Sequence, residues 1–146
     1  MAIILKKPQE IERLRDSNVI VAKALKYAES LIKPGISLKE ISNSIEKFLN
    51  ECGARASFKG LYGFPGAICI SVNEVIIHGI PTEYRLLEGD IVGIDIGVEY
   101  KGWFGDAAST FPVGKIGDSD TNLINASKSV LEDSIKCIKE GMRFKE

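Results

Sequence analysis

Histidine is almost absent from this sequence, and its scarcity limits the metal chemistry that the chain can support. His78 is the only histidine, so a site with two imidazole ligands cannot be built from this chain. The three cysteines, Cys52, Cys69 and Cys137, are odd in number and widely separated. This spacing argues against a disulfide framework and against a zinc site made of cysteines. We expect three reduced thiols.

Long hydrophobic runs and an excess of one charge are also missing. No stretch approaches the roughly 20 apolar residues of a membrane span, and the apolar run after Met1 is too short for a signal peptide. The formal net charge is −1, with acidic and basic residues interspersed. This balance gives no electrostatic footprint for nucleic acid or for an anionic membrane. The composition therefore predicts a cytoplasmic protein with neither partner.

Enough apolar residues remain for one folded domain of 146 residues. Helical periodicity predicts a helix from Pro8 to about Ile32, a second after a capping box at Ser37–Glu40, and a third between Gly117 and Gly141. Alternation bounded by turn residues predicts four strands: Ala67–Val72, Val75–His78, Ile91–Val98 and Trp103–Phe111. The order α-α-β-β-β-β-α is typical of the α+β class.

A short internal repeat connects the ends of the first and third helices. Residues 31–40, LIKPGISLKE, and 137–146, CIKEGMRFKE, are identical at five of ten positions. A true duplication would mean that a second copy of the design begins near residue 137. The common chemistry of helix ends and helix starts is the alternative explanation.

Two aspartates in the last predicted hairpin form the first candidate site. Alternation along Ile91–Val98 places Asp95 opposite the apolar face. If a loop of two or four residues pairs Val98 with Trp103, Asp95 faces Asp106 with Cβ atoms roughly 4.5–5.5 Å apart. Such a carboxylate pair favours a bound cation, Mg²⁺, Mn²⁺ or Ca²⁺ with oxygen ligands alone and Co²⁺, Fe²⁺ or Zn²⁺ with added imidazole. The alternative is two solvent-facing acids on an ordinary hairpin.

The single histidine and a glycine-aromatic loop form the second candidate. His78 ends a predicted strand and is followed by Gly79 and Pro81, so its side chain can reach a cleft. There an imidazole could bind a substrate amide or carry a proton, although a lone histidine is more often a hydrogen-bonded structural residue. The loop 60–66, GLYGFPG, is by itself consistent with a cap over the core.

Taken together, these segments resemble the type I methionine aminopeptidases, metalloenzymes of the pita-bread fold. The matching segments occur in order: 58–74 (FKGLYGFPGAICISVNE), 78–81 (HGIP), 89–92 (GDIV) with Asp95, and 105–106 (GD). The resemblance implies a hydrolase that removes the initiator methionine from nascent proteins when the next residue is small. It also implies two divalent metal ions, cobalt, manganese, iron or zinc, and a peptide substrate with N-terminal methionine met near the ribosome.

The resemblance further implies roles for individual residues. Asp95 chelates one metal ion and Asp106 bridges both. His78 matches the catalytic histidine that contacts the substrate near the scissile bond. The substrate-binding residues, of which Phe64 and Cys69 match positions lining the methionine pocket, are His78, Phe64, Cys69 and Tyr62. Phe58 stands where some relatives carry cysteine, and Leu61 where many carry an aromatic residue.

The main departure from the family is an incomplete ligand set. The resemblance implies that residues 1–146 are the N-terminal half of the catalytic domain, whereas the family site also needs a histidine and two glutamates from a C-terminal half. With only Asp95 and Asp106 present, we expect weak or no metal binding, negligible peptidase activity and self-association through exposed apolar surface. A non-catalytic module that binds nascent chains, an inactive remnant, and a relative of prolidase or creatinase are the alternatives.

Overall fold

The computed structural model describes residues 4–143 and contains three helices and one antiparallel sheet. The elements are α1 (Pro8–Leu31), α2 (Leu38–Glu51), β1 (Arg55–Ala56), β2 (Cys69–Val72), β3 (Ile91–Tyr100), β4 (Trp103–Pro112) and α3 (Asp118–Cys137). All three predicted helices are present, and the α+β class is confirmed. None of the described helices is long and apolar enough to cross a membrane.

Local sequence accounts for where the first two helices begin and end. Pro8 occupies the first turn of α1, where a missing N–H leaves no helical hydrogen bond unmade. The predicted capping box starts α2: Ser37 Oγ accepts the Glu40 N–H at 3.1 Å, and Glu40 Oε2 accepts the Ser37 N–H at 2.7 Å. Gly53, with φ of +69°, follows the end of α2 and supplies the left-handed conformation that commonly ends a helix.

β3 is the centre of a sheet that is three strands wide. β4 pairs along its whole length on one side, and β1 and β2 share the other side, all antiparallel. One face of the sheet packs against α1, and buried side chains of α2 join the same core. The fully buried side chains of β3 on this face are Val92, Ile94, Ile96 and Val98. The alternation in the sequence identified this core face correctly.

The prediction of a strand over Val75–His78 is wrong. Residues 73–78 form a loop that begins at Asn73 and ends at His78, with φ of 52° and 58°. Ile76 and Ile77 are 90% and 66% exposed. A short run of β-branched residues is not sufficient for a strand, because a strand also needs a ladder partner along its length. The remaining strand is β1, which was missed because it has only two residues.

α3 carries the predicted apolar stripe, but the stripe is exposed. No side chain of this helix is buried. The large exposed apolar residues of the stripe are Leu123, Val130, Leu131, Ile135 and Ile138. An amphipathic helix normally buries such a stripe against a core. The described part of the chain therefore presents one helix whose apolar face has no cover.

The internal repeat extends from sequence to backbone geometry. The residue after each helix, Ile32 and Ile138, donates its N–H to the carbonyl three residues earlier at 3.2 Å. The glycines that follow, Gly35 and Gly141, have φ of +90° and +86°. Residues 144–146 of the repeat lie outside the described residues. In the part that is described, the two copies end their helices in the same way.

Candidate metal centre

The candidate site lies on the sheet face that points away from the core. Residues that oppose each other in antiparallel strands share a face, so the registers of β2, β3 and β4 define it. The residues on this face include Cys69, Ser71, Gly93, Asp95, Gly97, Asp106, Ala108 and Thr110. Small side chains and glycines flank Asp95 on every strand, so the three strands place no bulky side chain beside its carboxylate.

The hairpin that carries the two aspartates turns later than predicted. Lys101 and Gly102 form the loop, with φ of 51° and 80°. Two residues with positive φ make a type I′ turn, whose twist matches that of the flanking strands. Tyr100 therefore pairs with Trp103, and the predicted pairing of Val98 with Trp103 is wrong.

This register makes the two aspartates diagonal neighbours. Asp106 opposes Gly97, and Asp95 opposes Ala108. The carboxylates share one face, as expected, but they do not oppose each other directly. Diagonal positions of an antiparallel pair lie about 7–8 Å apart, within reach of two side chains that converge on one ion. The arrangement therefore suits a shared cation better than direct contact between two carboxylates.

Asp95 has an unusual electrostatic environment. It is half-buried, and its Oδ1 atom is buried without a hydrogen-bond partner. Burial raises the pKa of Asp95, the Asp106 carboxylate raises it further, and His78 lowers it. Partial burial of its carboxyl also raises the pKa of Asp106, although that residue is exposed overall. An unpartnered buried oxygen is costly, and a cation would satisfy it.

Cys69 is the closest neighbour of Asp95 on β2. The two residues are paired in the antiparallel register, and Cys69 is buried. Burial, followed by the charges of Asp95 and Asp106, raises the pKa of the Cys69 thiol to about 11. The thiol therefore stays neutral near pH 7 and behaves as a small apolar side chain.

His78 lies in the segment that runs along the outer edge of β2, near the same region. The next residue, Gly79, accepts a backbone hydrogen bond from the Ile70 N–H at 2.9 Å. The side chain of His78 is exposed, and it lies close enough for its charge to lower the pKa of Asp95. The structure thus brings His78, Cys69 and the aspartates to one side of the sheet.

The aromatic side chains of residues 58–64 differ in how far they cover this face. Phe58 lies over Gly97 and, with Ser57, leaves no room for a Cβ there. Phe64 is half-buried, whereas Tyr62 is 101% exposed, with φ of 49°. Phe58 therefore covers one end of the site face, while Tyr62 projects into solvent.

The donor set fits a divalent cation only in part. Asp95 and Asp106 supply hard carboxylate oxygens of the kind that such ions prefer. Among residues 4–143, no group of three or more histidine, cysteine, aspartate or glutamate side chains could hold a metal ion. Structural and catalytic metal sites normally use three or more protein ligands. The described residues therefore offer two carboxylate ligands, fewer than such a site normally uses.

One polar network beside the site was missed from the sequence. Asp90 is 6% exposed and accepts hydrogen bonds from Asn73 Nδ2 at 2.8 Å, Leu87 N–H at 2.9 Å and Tyr84 Oη at 3.0 Å. Burial alone would raise the pKa of Asp90, but these bonds outweigh it and lower the pKa. Asn73 and Asp90 both lie in the segments 58–74 and 89–92, yet only their folded proximity indicates a common role.

Known proteins provide an independent comparison. The model of metallopeptidase family M24 matches residues 12–146. A methionine aminopeptidase of Helicobacter pylori is 49% identical over 146 residues, which are 100% of this chain and 58% of that protein. Methionine aminopeptidase 1 of Bacillus subtilis is 44% identical over 97% of this chain and 57% of its own length.

A solved structure gives the same result for the fold. The crystal structure of methionine aminopeptidase from Thermotoga maritima superposes with a TM-score of 0.93 at 36% identity, covering 97% of this chain and 57% of that one. The expected pita-bread fold is confirmed. The chain spans a little over half the length of the curated relatives it matches. Because the family match extends from residue 12 to residue 146, the chain belongs to metallopeptidase family M24.

Proposed function

We propose that this chain acts in the metal-dependent removal of N-terminal methionine from nascent proteins, as the N-terminal half of the catalytic domain. The carrying observation is the pair Asp95 and Asp106 on one sheet face, with an unpartnered buried oxygen on Asp95. The similarity to methionine aminopeptidases over the full chain supports the substrate class. The reaction is hydrolysis of the first peptide bond, in the cytoplasm and near the ribosome.

The two aspartates hold the metal in this proposal. Membership of a metallopeptidase family implies a divalent ion, and cobalt, manganese, iron or zinc are the candidates, with two ions in the complete site. When bound, the metal supplies Lewis acidity and activates water. The chain itself supplies Asp95 from the middle of the rigid strand β3 and Asp106 from β4. By family resemblance, a histidine and two glutamates complete the ligand set.

The remaining site residues bind and orient the peptide. His78 places ring nitrogens that can donate or accept a proton at the scissile amide. The neutral thiol of Cys69 and the ring of Phe64 form an apolar wall for the methionine side chain. Tyr62, which is exposed, contacts the substrate from the loop outside this wall.

The partial ligand set favours one alternative function. Because no three-ligand group occurs in residues 4–143, the chain can serve as a non-catalytic module that binds nascent chains. A prolidase-like activity has less support, since the relatives that match the full chain are methionine aminopeptidases.

The test combines metal binding with methionine release in the same samples. The purified chain is titrated with Mn²⁺ and Co²⁺ by calorimetry and assayed on a Met-Ala-Ser peptide. Asp106→Asn is expected to weaken metal binding at least tenfold, because it removes one of two charged ligands. Glu29→Gln, the same acid-to-amide change at an exposed position on α1, should leave binding unchanged.

Each outcome separates the two functions. Binding that Asp106→Asn abolishes, together with methionine release, supports the peptidase. Binding without release supports the non-catalytic module. Equal binding by the two variants contradicts the assignment of Asp95 and Asp106 as ligands. No binding by the unaltered chain, with no release, means that the two carboxylates need the further ligands of the complete site to hold the ion.

A further inference from the structure

The loop of residues 73–79, which carries His78, lacks the apolar packing that usually fixes a loop. Its central side chains Val75, Ile76 and Ile77 are 44%, 90% and 66% exposed. His78 itself is exposed and adopts a φ of 58°. A non-glycine residue stays in that conformation only where its surroundings hold it there. The position of His78 must therefore depend on how the ends of the loop are attached.

The first end is attached through the side chain of Asn73. Asn73 Oδ1 accepts the Ile91 N–H at 3.0 Å, and Asn73 Nδ2 donates to Asp90 Oδ1 at 2.8 Å. The Asn73 N–H donates in turn to the Ile91 carbonyl at 3.0 Å. Asp90 is fixed by its own bonds from Leu87 and Tyr84. Asn73 thus joins the start of the loop to the start of β3.

The second end is attached to β2 beside His78. The Gly79 N–H donates to Ser71 Oγ at 3.1 Å, and the Gly79 carbonyl accepts the Ile70 N–H at 2.9 Å. A Cβ at Gly79 would collide with the backbone of Ile70 and Ser71. Residue 79 therefore lies directly on the strand, and Ser71 holds the residue next to His78.

We propose that Ser71 and the Asn73–Asp90 pair are positioning residues that fix His78 beside Asp95. Ser71 and Asp95 lie on the same face of the sheet, so a bond to Ser71 determines how far His78 extends over that face. The catalytic meaning of this placement rests on the proposed function. The placement itself does not, because it follows from hydrogen bonds within residues 70–91.

The solitary histidine makes the proposal measurable in the chain as it is. The His78 ring gives a single ¹H–¹³C Cε1 signal, since no other histidine is present. In the unaltered chain this signal should be shifted from the value of an unstructured histidine. Ser71→Ala, which removes the acceptor, should move it towards that value. Ser71→Thr keeps a hydroxyl and should restore the native position.

Two further variants protect the test against a simple loss of folding. Asn73→Ala acts on the opposite, exposed end of the loop and should move the His78 signal in the same direction. Ser30→Ala, which removes a hydroxyl bonded only within α1, should not move it. Core methyl signals that keep their dispersion show that each variant is folded. An unshifted His78 signal in folded Ser71→Ala and Asn73→Ala overturns the proposal.

Methionine release measures the effect of the anchors on catalysis, and Mn²⁺ affinity is the control measurement. Loss of either anchor should lower kcat/KM about tenfold through misplacement of His78, with Mn²⁺ affinity unchanged. A His78 signal that moves while kcat/KM stays constant removes the catalytic meaning of the anchors. A chain that releases no methionine behaves as expected of an incomplete ligand set and gives no kcat/KM to compare, and the His78 signal then decides the positioning alone.

Discussion

Asp90 and Asp95 lie five residues apart in the chain, but their environments shift the carboxyl pKa in opposite directions. Hydrogen bonds from Leu87, Asn73 and Tyr84 lower the pKa of Asp90 in spite of its burial. Asp95 has no such donors on its buried oxygen, and burial with the Asp106 charge raises its pKa. Ionised Asp90 therefore stabilises the fold, whereas ionised Asp95 destabilises it unless a cation is bound.

The raised pKa of Asp95 predicts how the free energy of unfolding depends on pH. A raised pKa in the folded state means that the folded chain binds the proton more tightly than the unfolded chain. The stabilisation by protonated Asp95 is therefore complete below pH about 4, the ordinary value for aspartate, and is lost as pH rises through the raised pKa. Asp95→Asn should remove this loss and stabilise the metal-free chain by about 1 kcal/mol at pH 7.

Urea unfolding between pH 4 and 7.5 checks this prediction, with chelator present. The difference in free energy of unfolding between Asp95→Asn and the unaltered chain should grow as pH rises. Mn²⁺ in place of the chelator should reduce the difference, because the unaltered chain alone retains both carboxylates. Parallel pH profiles for the two proteins would contradict the assigned environment of Asp95.

At the scale of elements, the position of β4 against α1 determines where Asp106 lies. A Cβ on Gly105 would approach the Ser17 carbonyl carbon at 2.8 Å and the Asn18 nitrogen at 2.9 Å. These are backbone atoms of α1, so they cannot move aside as a flexible side chain could. Ser17 Oγ also donates to the Trp103 carbonyl at 3.0 Å. Helix and strand are therefore in contact through their backbones directly beside Asp106.

Gly105→Ala should consequently push α1 and β4 apart. We expect a loss of about 1–3 kcal/mol in the free energy of unfolding, the usual cost of overpacking a close contact. Gly93→Ala in β3 is the matched control, because a Cβ there meets its nearest atom, the Ser71 carbonyl oxygen, at an ordinary 3.6 Å. Urea titrations of both variants measure the difference, and equal stability of the two would refute the backbone contact.

The elements also show which parts of the fold were predictable from the sequence. The capping box at Ser37 and the core face of β3 depend on residues close in the chain, and both were predicted correctly. Whether Val75–His78 forms a strand depends on a distant pairing partner. The hairpin register depends on the conformation of Lys101. Neither feature could be predicted from the neighbouring residues in the sequence. The prediction that Asp95 and Asp106 share a face was still correct, because a register error of two residues keeps every side chain on its face.

The residues of the candidate site could be chosen from the sequence, but their arrangement could not. His78, Cys69 and the aspartates stood out through residue type and family resemblance, without their mutual positions. The bond between Asn73 and Asp90 crosses 17 residues, and no spacing rule connects an asparagine after one strand with an aspartate before the next. That contact follows from β2 and β3 being neighbours in the sheet, which is a property of the fold.

At the scale of the whole molecule, the chain exposes more surface than its size requires. The accessible area is 10179 Å² for 16.0 kDa, whereas a compact monomer of this mass exposes roughly 7,400 Å². The stripe on α3 and the apolar loop at Ile76 contribute to the excess. The unpaired outer edge of β4, within the described residues, adds a further site for association.

The excess surface predicts that the 146-residue chain self-associates in solution. A stable interface needs about 800 Å² from each partner, which is well below the excess, and the internal repeat makes a second copy a suitable cover for α3. Light scattering should give at least twice 16.0 kDa. Leu131→Glu should shift the population towards monomer, because it places a charge in the exposed stripe of α3. Ser129→Glu adds the same charge on the opposite side of the helix and should leave the mass unchanged, and a cooperatively folded monomer at every concentration would refute the prediction.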